Sequence, residues 1–554
     1  MRRLPAQIWR ILRPGEKKSM GWLLVCDIAI SIADIIFLAL LLVIIQSYTG
    51  TGPVKKPVFP GWSLPGQHLL LSVIIFFLLF SCKNLAGFLV YRAQCTFLFR
   101  VASRISRDKL TYYLEGGYEG YIDTDSAVHI RQISYEPLEF CQHVLGGFQQ
   151  MVTQAVLILL AIAGIIFFNA HLFFLLLIVL LPPVFGLSWL LKGRLQSIRT
   201  NARRSSERSL RHLQEALAGY VESNIYNRNE VFLEKYLRYQ RQYNSYLSGQ
   251  MVLQGVPVRM IEIFALLGVV ILIAVNQWAA QGGSNAVITI GVFMAAAYKI
   301  IPGIVKILNL TGQINTYRHT LQRLKNGVES KRPVREPVIE RIQNIRMEGV
   351  GFSYSGRRVL NDFYMNVQPG DIIGVAGESG KGKTTILNVL LGFLKPEKGR
   401  VLINGKEGMV GAYWNRIAYV KQQSFLIHDS IRHNITLNGE GWDELRLERA
   451  VTAAGLTSLV EGSPEGLDKV IMENGRNISG GQRQRIVLAR ALYKDADLII
   501  LDEPFNELDE ESEQRLLCYL RQLAQEGKMV ILITHNNKSF SFCNKTIHLY
   551  ERAS

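Results

Sequence analysis

Six runs of apolar residues dominate the first part of the chain: roughly Met20–Gln46, His68–Tyr91, Val144–Phe168, His171–Leu191, Val252–Trp278 and Val287–Leu310. About 20 consecutive apolar residues cross the hydrocarbon core of a bilayer, and each run is long enough. In hydrocarbon every backbone N–H and C=O must be satisfied within the segment, so runs of this length and composition can only be helices. The first run is too long for a secretory signal and lacks a small-residue cleavage site, so it too reads as a span. After "KRPVREPVIE" (Lys331–Glu340), a polar stretch with proline, the pattern changes to short apolar runs alternating with helices. "DIIGVAG", "DLIILDE" and "MVILITH" are continuous apolar runs, as strands covered on both faces should be. The sequence therefore predicts a polytopic α-helical membrane domain over 1–325, a linker over 326–340 and an α/β domain over 341–554.

Charge sets the orientation. Arg2, Arg3, Arg10, Arg13, Lys17 and Lys18 precede the first run, and the long connections between runs two and three and between four and five are rich in Arg and Lys. The short connections between runs three and four and between five and six carry no formal charge. Both termini are thus expected in the cytoplasm of a multi-pass protein of a cell membrane, in a bacterium the inner one. The net charge of +17 lies largely on segments flanking the membrane, so it points to a lipid surface rather than to nucleic acid. The six cysteines show no metal-ligand spacing and read as reduced and structural. The long connections continue the helical pattern and turn in two less regular patches, Gly116–Val128 and Asn224–Phe232, suited to short transverse helices.

Three motifs in the α/β domain carry chemistry. "GESGKGKTT" (Gly377, Glu378, Ser379, Gly380, Lys381, Gly382, Lys383, Thr384, Thr385) follows a predicted strand and opens a predicted helix, the setting of a phosphate loop. Its glycines let backbone N–H groups approach phosphates, Lys383 reaches the β- and γ-phosphates of ATP, and the Thr384 hydroxyl ligates Mg²⁺. "LIILDEP" is an apolar strand ending in two carboxylates, Asp502 to hold Mg²⁺ through water and Glu503 to polarise the attacking water. His535, at the end of "VILITH", is placed to meet the γ-phosphate. "ISGGQRQR" (Ile478–Arg485) sets Ser-Gly-Gly at a helix start, a second phosphate-binding nest. One ATP does not need two such cradles from one chain, so a second protomer is implied.

This set resembles the ATP-binding-cassette (ABC) family, and specifically an exporter-type half-transporter, over essentially the whole chain. The resemblance implies that Tyr354 stacks on adenine and that Gln422 senses Mg²⁺ and the membrane domain. It also implies that Ser479, Gly480, Gly481 and Gln482 bind the γ-phosphate of ATP held by the partner. Asp509, in "NELD", would belong to the loop that crosses between protomers. Two departures stand out: Ile478 replaces the usual leucine, and Asn506–Glu507 replace the usual Ser-Ala before Leu508. Every hydrolytic group is present, so both ATP sites of a homodimer are expected to turn over, and the two connection patches to act as coupling helices.

The membrane domain carries charge at depth, which is costly and therefore meaningful. Lys83, Arg259, Lys299 and Lys306 stand in predicted spans, opposed by Asp27, Asp34 and Glu262. One reading is a cytoplasm-facing cavity for an anionic substrate group such as a phosphate or pyrophosphate; the other is internal ion pairing between helices. "AYKIIPGIVKI" is similar to the sixth-span segment of bacterial lipid-linked oligosaccharide flippases of the ABC family, which carry arginines where Lys299 and Lys306 stand and another near Lys83. Lysine offers a point charge where arginine offers a planar fork, so bidentate phosphate recognition would be weaker. The expected activity is ATP-driven export or flipping of an amphipathic substrate, with a peptide or drug exporter of the same fold as one alternative and an ATP-gated channel as another.

Overall fold

The structure is a computed structural model that describes residues 4–49, 69–115, 126–168, 170–278, 300, 302–317, 320–321, 324, 340–354, 356–378, 380–408, 410–438, 441–472 and 475–549. The predictions for Ser379 and Lys299 and for most of the Gly116–Val128 patch lie outside these residues. The chain divides into a helical unit and an α/β unit, the division in the main chain falling between Lys331 and Arg332.

In the helical unit, α1 (Leu4–Ile11) precedes the long α2 (Pro14–Thr49). Proline opens α2 because its missing N–H costs nothing in the first turn. Glu16 reaches back to accept the Arg13 N–H at 2.9 Å, closing the end of the helix. α3 (Leu69–Leu114) follows, then a helical run from Ser126 to Phe168, α4, broken by π-helical stretches at Arg131–Tyr135 and Phe140–Leu145. α5 (Ala170–Ala218) and α7 (Asn229–Trp278) pack along each other, joined through the short α6 (Tyr220–Ile225). That short helix and the turn after it occupy the start of the second predicted connection patch.

Apolar periodicity decides what docks where. Leu4, Ile8 and Ile11 form one face of α1, and they pack with Phe97, Val101 and Ile105 of α3, Phe140, Val144 and Leu145 of α4, and Ile314. An ionic clasp lies beside this core. Arg104 donates to both Glu16 oxygens (2.6 and 3.1 Å), to Asp108 (2.9 Å) and to the Ile11 carbonyl (3.2 Å), while Arg13 reaches Asp108 at 3.0 Å. Higher on α3, Leu70, Phe77, Leu78 and Phe88 are exposed on the unit's surface, as a lipid-facing helix requires.

Among the described residues three helical stretches are long and apolar enough to cross a membrane: Pro14–Phe37, Val73–Leu114 and Val128–Ala163. The sequence predicts six spans. The runs His171–Leu191, Val252–Trp278 and Val287–Leu310 fall partly or wholly on residues or side chains outside those described.

The α/β unit holds two main sheets. An antiparallel one, ordered β2-β1-β4-β5, is built from β1 (Ile345–Tyr354), β2 (Arg357–Val367), β4 (Lys398–Ile403) and β5 (Lys406–Glu407). A parallel one, ordered β11-β3-β10-β9-β6, uses β3 (Ile372–Ala376), β6 (Ile417–Val420), β9 (Leu498–Asp502), β10 (Met529–Ile533) and β11 (Lys545–His548). A small pair, β7 (Asp429–Ser430) and β8 (Val470–Ile471), stands apart. Every residue of β9 and β10 is buried, as their continuous apolar runs predict. Register brings the chemistry together. Ile533 pairs with both Asp502 and Val375, and Val420 pairs with Leu501, so the carboxyl ends of β3, β6, β9 and β10 finish level. Ligands of parallel sheets bind in the crevice outside those ends.

Candidate functional site

The phosphate loop leaves β3 and enters the helix Lys383–Leu390, α8, through Gly382. Gly380 and Gly382 have φ of +81° and +91°, which side chains tolerate poorly. At Gly382 a Cβ would also stand 2.9 Å from Val359, so the loop can close over the helix end only with glycine there. Lys383 is buried, and its Nζ turns back into the loop, donating to the Gly377 carbonyl at 2.6 Å and the Glu378 carbonyl at 3.4 Å and meeting His535 Nε2 at 2.9 Å. Burial holds its pKa below the usual lysine value, against the opposing pull of Glu503 and Asp502. Carbonyls are weak partners for an ammonium, so phosphate oxygens are a natural exchange.

At the end of β9, burial and the neighbouring Glu503 carboxylate push the Asp502 pKa up to about 6, opposed by Lys383, Lys421 and a hydrogen bond from Tyr419. Asp502 and Glu503 adjoin at the end of β9 and Thr384 is exposed in the first turn of α8, oxygen donors of the kind that suit Mg²⁺. Thr384, Asp502 and Gln422 would hold that ion, which would supply positive charge to offset that of the phosphates.

Glu503 has φ +52°, a left-handed conformation unusual for a residue with a side chain, pinned by its N–H on the Ile533 carbonyl at 2.9 Å. One carboxylate oxygen meets His535 Nε2 at 3.0 Å, and the other accepts from Gln422 at 2.7 Å and from Asn506 at 2.9 Å. Four of the residues assigned from sequence, Lys383, Gln422, Glu503 and His535, thus converge directly. Tyr354 ends β1, half-exposed with its ring edge-on to Phe352 at 4.9 Å, open to a stacking partner. Lys381 lies 3.7 Å from Glu378, and Thr385 is buried in the first turn of α8.

The Ser-Gly-Gly motif caps a separate helix, α9 (Gly480–Tyr493). Ser479 Oγ accepts from the Gln482 N–H at 3.2 Å, and Gln482 Oε1 accepts from the Ser479 N–H at 3.1 Å, a reciprocal capping box. Gln482 therefore has a structural duty in addition to the role its motif implies. Sequence reasoning missed two contributors. Asn506, noted only as a departure from the family pattern, touches Glu503 itself. Gln484 ties three segments together, accepting from Ser424 at 2.7 Å and donating to the Pro504 carbonyl at 3.2 Å. The amide's position within "SGGQRQR", buried on the inner face of α9, was the available signal. Asp509 is held by Arg485 at 2.8 Å.

The charged residues of the membrane domain fare differently. Lys83 Nζ pairs with Asp34 across α2 and α3, and packs over the Phe80 and Phe37 rings at 4.5 and 5.9 Å. Asp27 accepts from Thr153 at 2.6 Å. For Lys83 and Asp34 the internal ion pairing left open by the sequence is what the structure displays, while Asp27 meets a hydroxyl. Arg259 on α7 and Lys306 on the helical residues 302–317 are exposed.

Residues 360–506 match the family described as ABC transporter. Curated relatives include ATP-dependent lipid A-core flippases from Burkholderia pseudomallei, 29% identical over 67% of this chain and 65% of that protein, and from Ralstonia nicotianae, 27% identical over 77% and 74%. A third, from Cupriavidus metallidurans, is 37% identical over 36% and 35%. The alignment thus spans just under two thirds of the length of the first of these relatives. A bacterial Atm1-family ABC exporter solved with ATP bound shares the fold at a TM-score of 0.78 and 17% identity, covering 97% of this chain and 94% of its own. Together with the converged site, these matches give residues 360–506 the character of an ABC transporter's nucleotide-binding domain and relate the chain, a helical membrane domain fused to an α/β ATPase domain, to bacterial ABC exporters and flippases.

Proposed function

We propose that two copies of this chain form an ATP-driven exporter or flippase with six spans in each copy, cytoplasmic termini and two composite ATP sites. The observation that carries this reading is a division of labour within one α/β unit. Lys383, Glu503, Gln422 and His535 gather at the sheet's carboxyl end, while a second phosphate nest, capped by Ser479, opens a different helix. A lone protomer leaves that nest without a phosphate to bind, and a second protomer supplies one. The substrate we assign is amphipathic and anionic, possibilities extending to a lipid-linked oligosaccharide. The exposed Lys306 and Arg259, with Lys299, would meet its charged group, and the names of the flippase relatives lend this support. Lys83 would contribute only by exchanging Asp34 for the substrate.

Mixing tests the dimer. Ser479→Arg and Lys383→Ala each remove one half of every composite site, so each homodimer should lose ATPase activity. A mixed dimer keeps one intact site and should regain a readily measured fraction. Activity of the mixture no greater than that of either variant alone would overturn the shared-site reading. Stimulation of ATP hydrolysis by a panel of anionic lipids, and its loss in a Lys299→Gln, Lys306→Gln double variant with basal hydrolysis retained, tests the substrate class.

A further inference from the structure

The two oxygens of the Glu503 carboxylate are engaged unequally. Oε2 accepts from two side-chain amides, Gln422 at 2.7 Å and Asn506 at 2.9 Å, while Oε1 faces His535 Nε2 at 3.0 Å. A carboxylate oxygen offers about two acceptor positions, so the two amides fill Oε2 and Oε1 keeps one position open among the described residues. Gln422 comes from the segment after β6, 81 residues away in sequence, whereas Asn506 stands three residues past Glu503, where the chain bends away from β9. That bend is anchored. Pro504 and Phe505 are buried, the Pro504 carbonyl accepts from Gln484 at 3.2 Å, and the Leu508 N–H returns to the Phe505 carbonyl at 3.0 Å. Asn506 is itself exposed, but its short side chain leaves a fixed turn, and its amide spends little entropy in reaching Glu503. The last torsion of a glutamate is broad rather than staggered, so the plane of an untied carboxylate swings.

We propose that Asn506 is a positioning residue for ATP hydrolysis: with Gln422 it occupies both acceptor positions of Glu503 Oε2, and so fixes Oε1 as the oxygen presented to the attacking water. The inference rests on Glu503 serving as the base, as assigned above, and adds the group that aims it. In the hydrolytic step the water oxygen bonds to the γ-phosphorus and its proton passes to Oε1. The bond from that phosphorus to the oxygen shared with the β-phosphate breaks, and the oxygen keeps the electron pair as ADP departs. Glu503 then releases the proton to solvent. Asn506 touches neither water nor phosphate in this scheme. It acts by holding the carboxylate plane, and a base that is no longer held in its reactive geometry loses rate without losing substrate.

The test is steady-state ATP hydrolysis by the full-length protein, with kcat and KM resolved. Asn506→Ala removes the donor, and kcat should fall about two- to tenfold, the worth of one modest hydrogen bond, with the KM for ATP unchanged. Asn506→Asp keeps the side chain's shape but turns an acceptor toward Oε2, so it should lose at least as much. Asn506→Gln, which carries the amide on a longer stem, should recover part of the Ala loss. A double variant locates the effect: in the Glu503→Gln background, where no carboxylate is left to aim, Asn506→Ala should change the residual rate by less than about twofold. A kcat like the parent's in either the Ala or the Asp protein would overturn the proposal. So would a fall in kcat matched by a rise in KM, or a loss in the Glu503→Gln background as large as in the parent, since the side chain would then act on binding or on the fold. The Asp variant, equal in size to the native residue, keeps the comparison decisive where Ala lowers the melting temperature. If Glu503→Gln alone hydrolyses ATP like the parent, the base assignment itself falls, and that single variant tells the two failures apart.

Discussion

Two lysines, Lys83 in the helical unit and Lys383 in the α/β unit, have the same side chain and opposite circumstances. Lys83 is neutralised by Asp34 and walled by two phenylalanine rings, which are themselves in edge contact at 5.8 Å. Lys383 is buried against backbone carbonyls and an imidazole, with Asp502 and Glu503 acting on it only at longer range. The first has its charge committed within the fold. The second is held in place with its charge uncommitted, which destabilises the resting unit slightly and reserves the ammonium for phosphate. Charge in a membrane helix has to be matched locally, since hydrocarbon offers no alternative partner, whereas a crevice open to water can keep a cation waiting.

The largest test of this contrast is at the carboxylate facing Lys383. Glu503→Gln should bind ATP yet lower steady-state hydrolysis about 10²- to 10⁴-fold, because the cradle survives and the water loses its polarising base. The amide keeps bonds to one or more of Gln422, Asn506 and His535, so the protein should stay folded and accumulate with nucleotide trapped. Hydrolysis near that of the unmodified protein would remove Glu503 from the base role.

The lysines themselves come next. Lys383→Met should abolish tight ATP binding while leaving the melting temperature of the nucleotide-free protein unchanged or raised, because a desolvated charge is removed and no carboxylate is stranded. Lys83→Met should do the reverse to stability, stranding Asp34 between α2 and α3 at a cost of about 1–3 kcal/mol. Adding Asp34→Leu should recover most of that loss. Melting curves of the four proteins, with basal ATPase measured beside them, decide the matter: if Lys83→Met melts like the parent, the pair is not a clasp and Lys83 is free to serve the substrate.

The two lysines also differ in how far the sequence disclosed them. Lys383 was legible because the phosphate loop is contiguous: residues 377–385 carry their own glycines, their own cation and their own helix start. The level ends of β3, β9 and β10 follow from continuous apolar runs, buried at every position in β9 and β10 and at all but the last in β3, so Glu503 and His535 could be brought beside Lys383 without coordinates. The Lys83 pair was not legible in the same way. Its partner is 49 residues away on another helix, and which of Asp27, Asp34 or Glu262 it meets depends on helix rotation and depth that composition does not fix. The π-helical stretches of α4, which change rotation partway along, show why counting by 3.6 fails there. Asn506 and Glu507 fall between these cases: the sequence marks them as departures, but only geometry reveals that one touches the base and the other the second nest.

The smallest expected effect concerns Asp27, which shares α2 with Asp34 but meets a hydroxyl instead of a cation. Thr153 Oγ1 donates to Asp27 Oδ2 at 2.6 Å and stands 3.3 Å from the Gln149 carbonyl, so the bond links α2 to α4. A hydroxyl cannot neutralise a carboxylate, so Thr153→Val removes a hydrogen bond from a group that is itself partly exposed. The cost should be about 0.5–1.5 kcal/mol, below that of stranding Asp34. Asp27→Asn should cost less still, since the amide oxygen accepts the same bond and the charge disappears. Melting temperatures should therefore rank Lys83→Met lowest, Thr153→Val next and Asp27→Asn nearest the parent. If Thr153→Val equals or exceeds Lys83→Met, Asp27 is the principal clasp of α2, and the charge on Lys83 matters less to the fold than its contact with Asp34 implies.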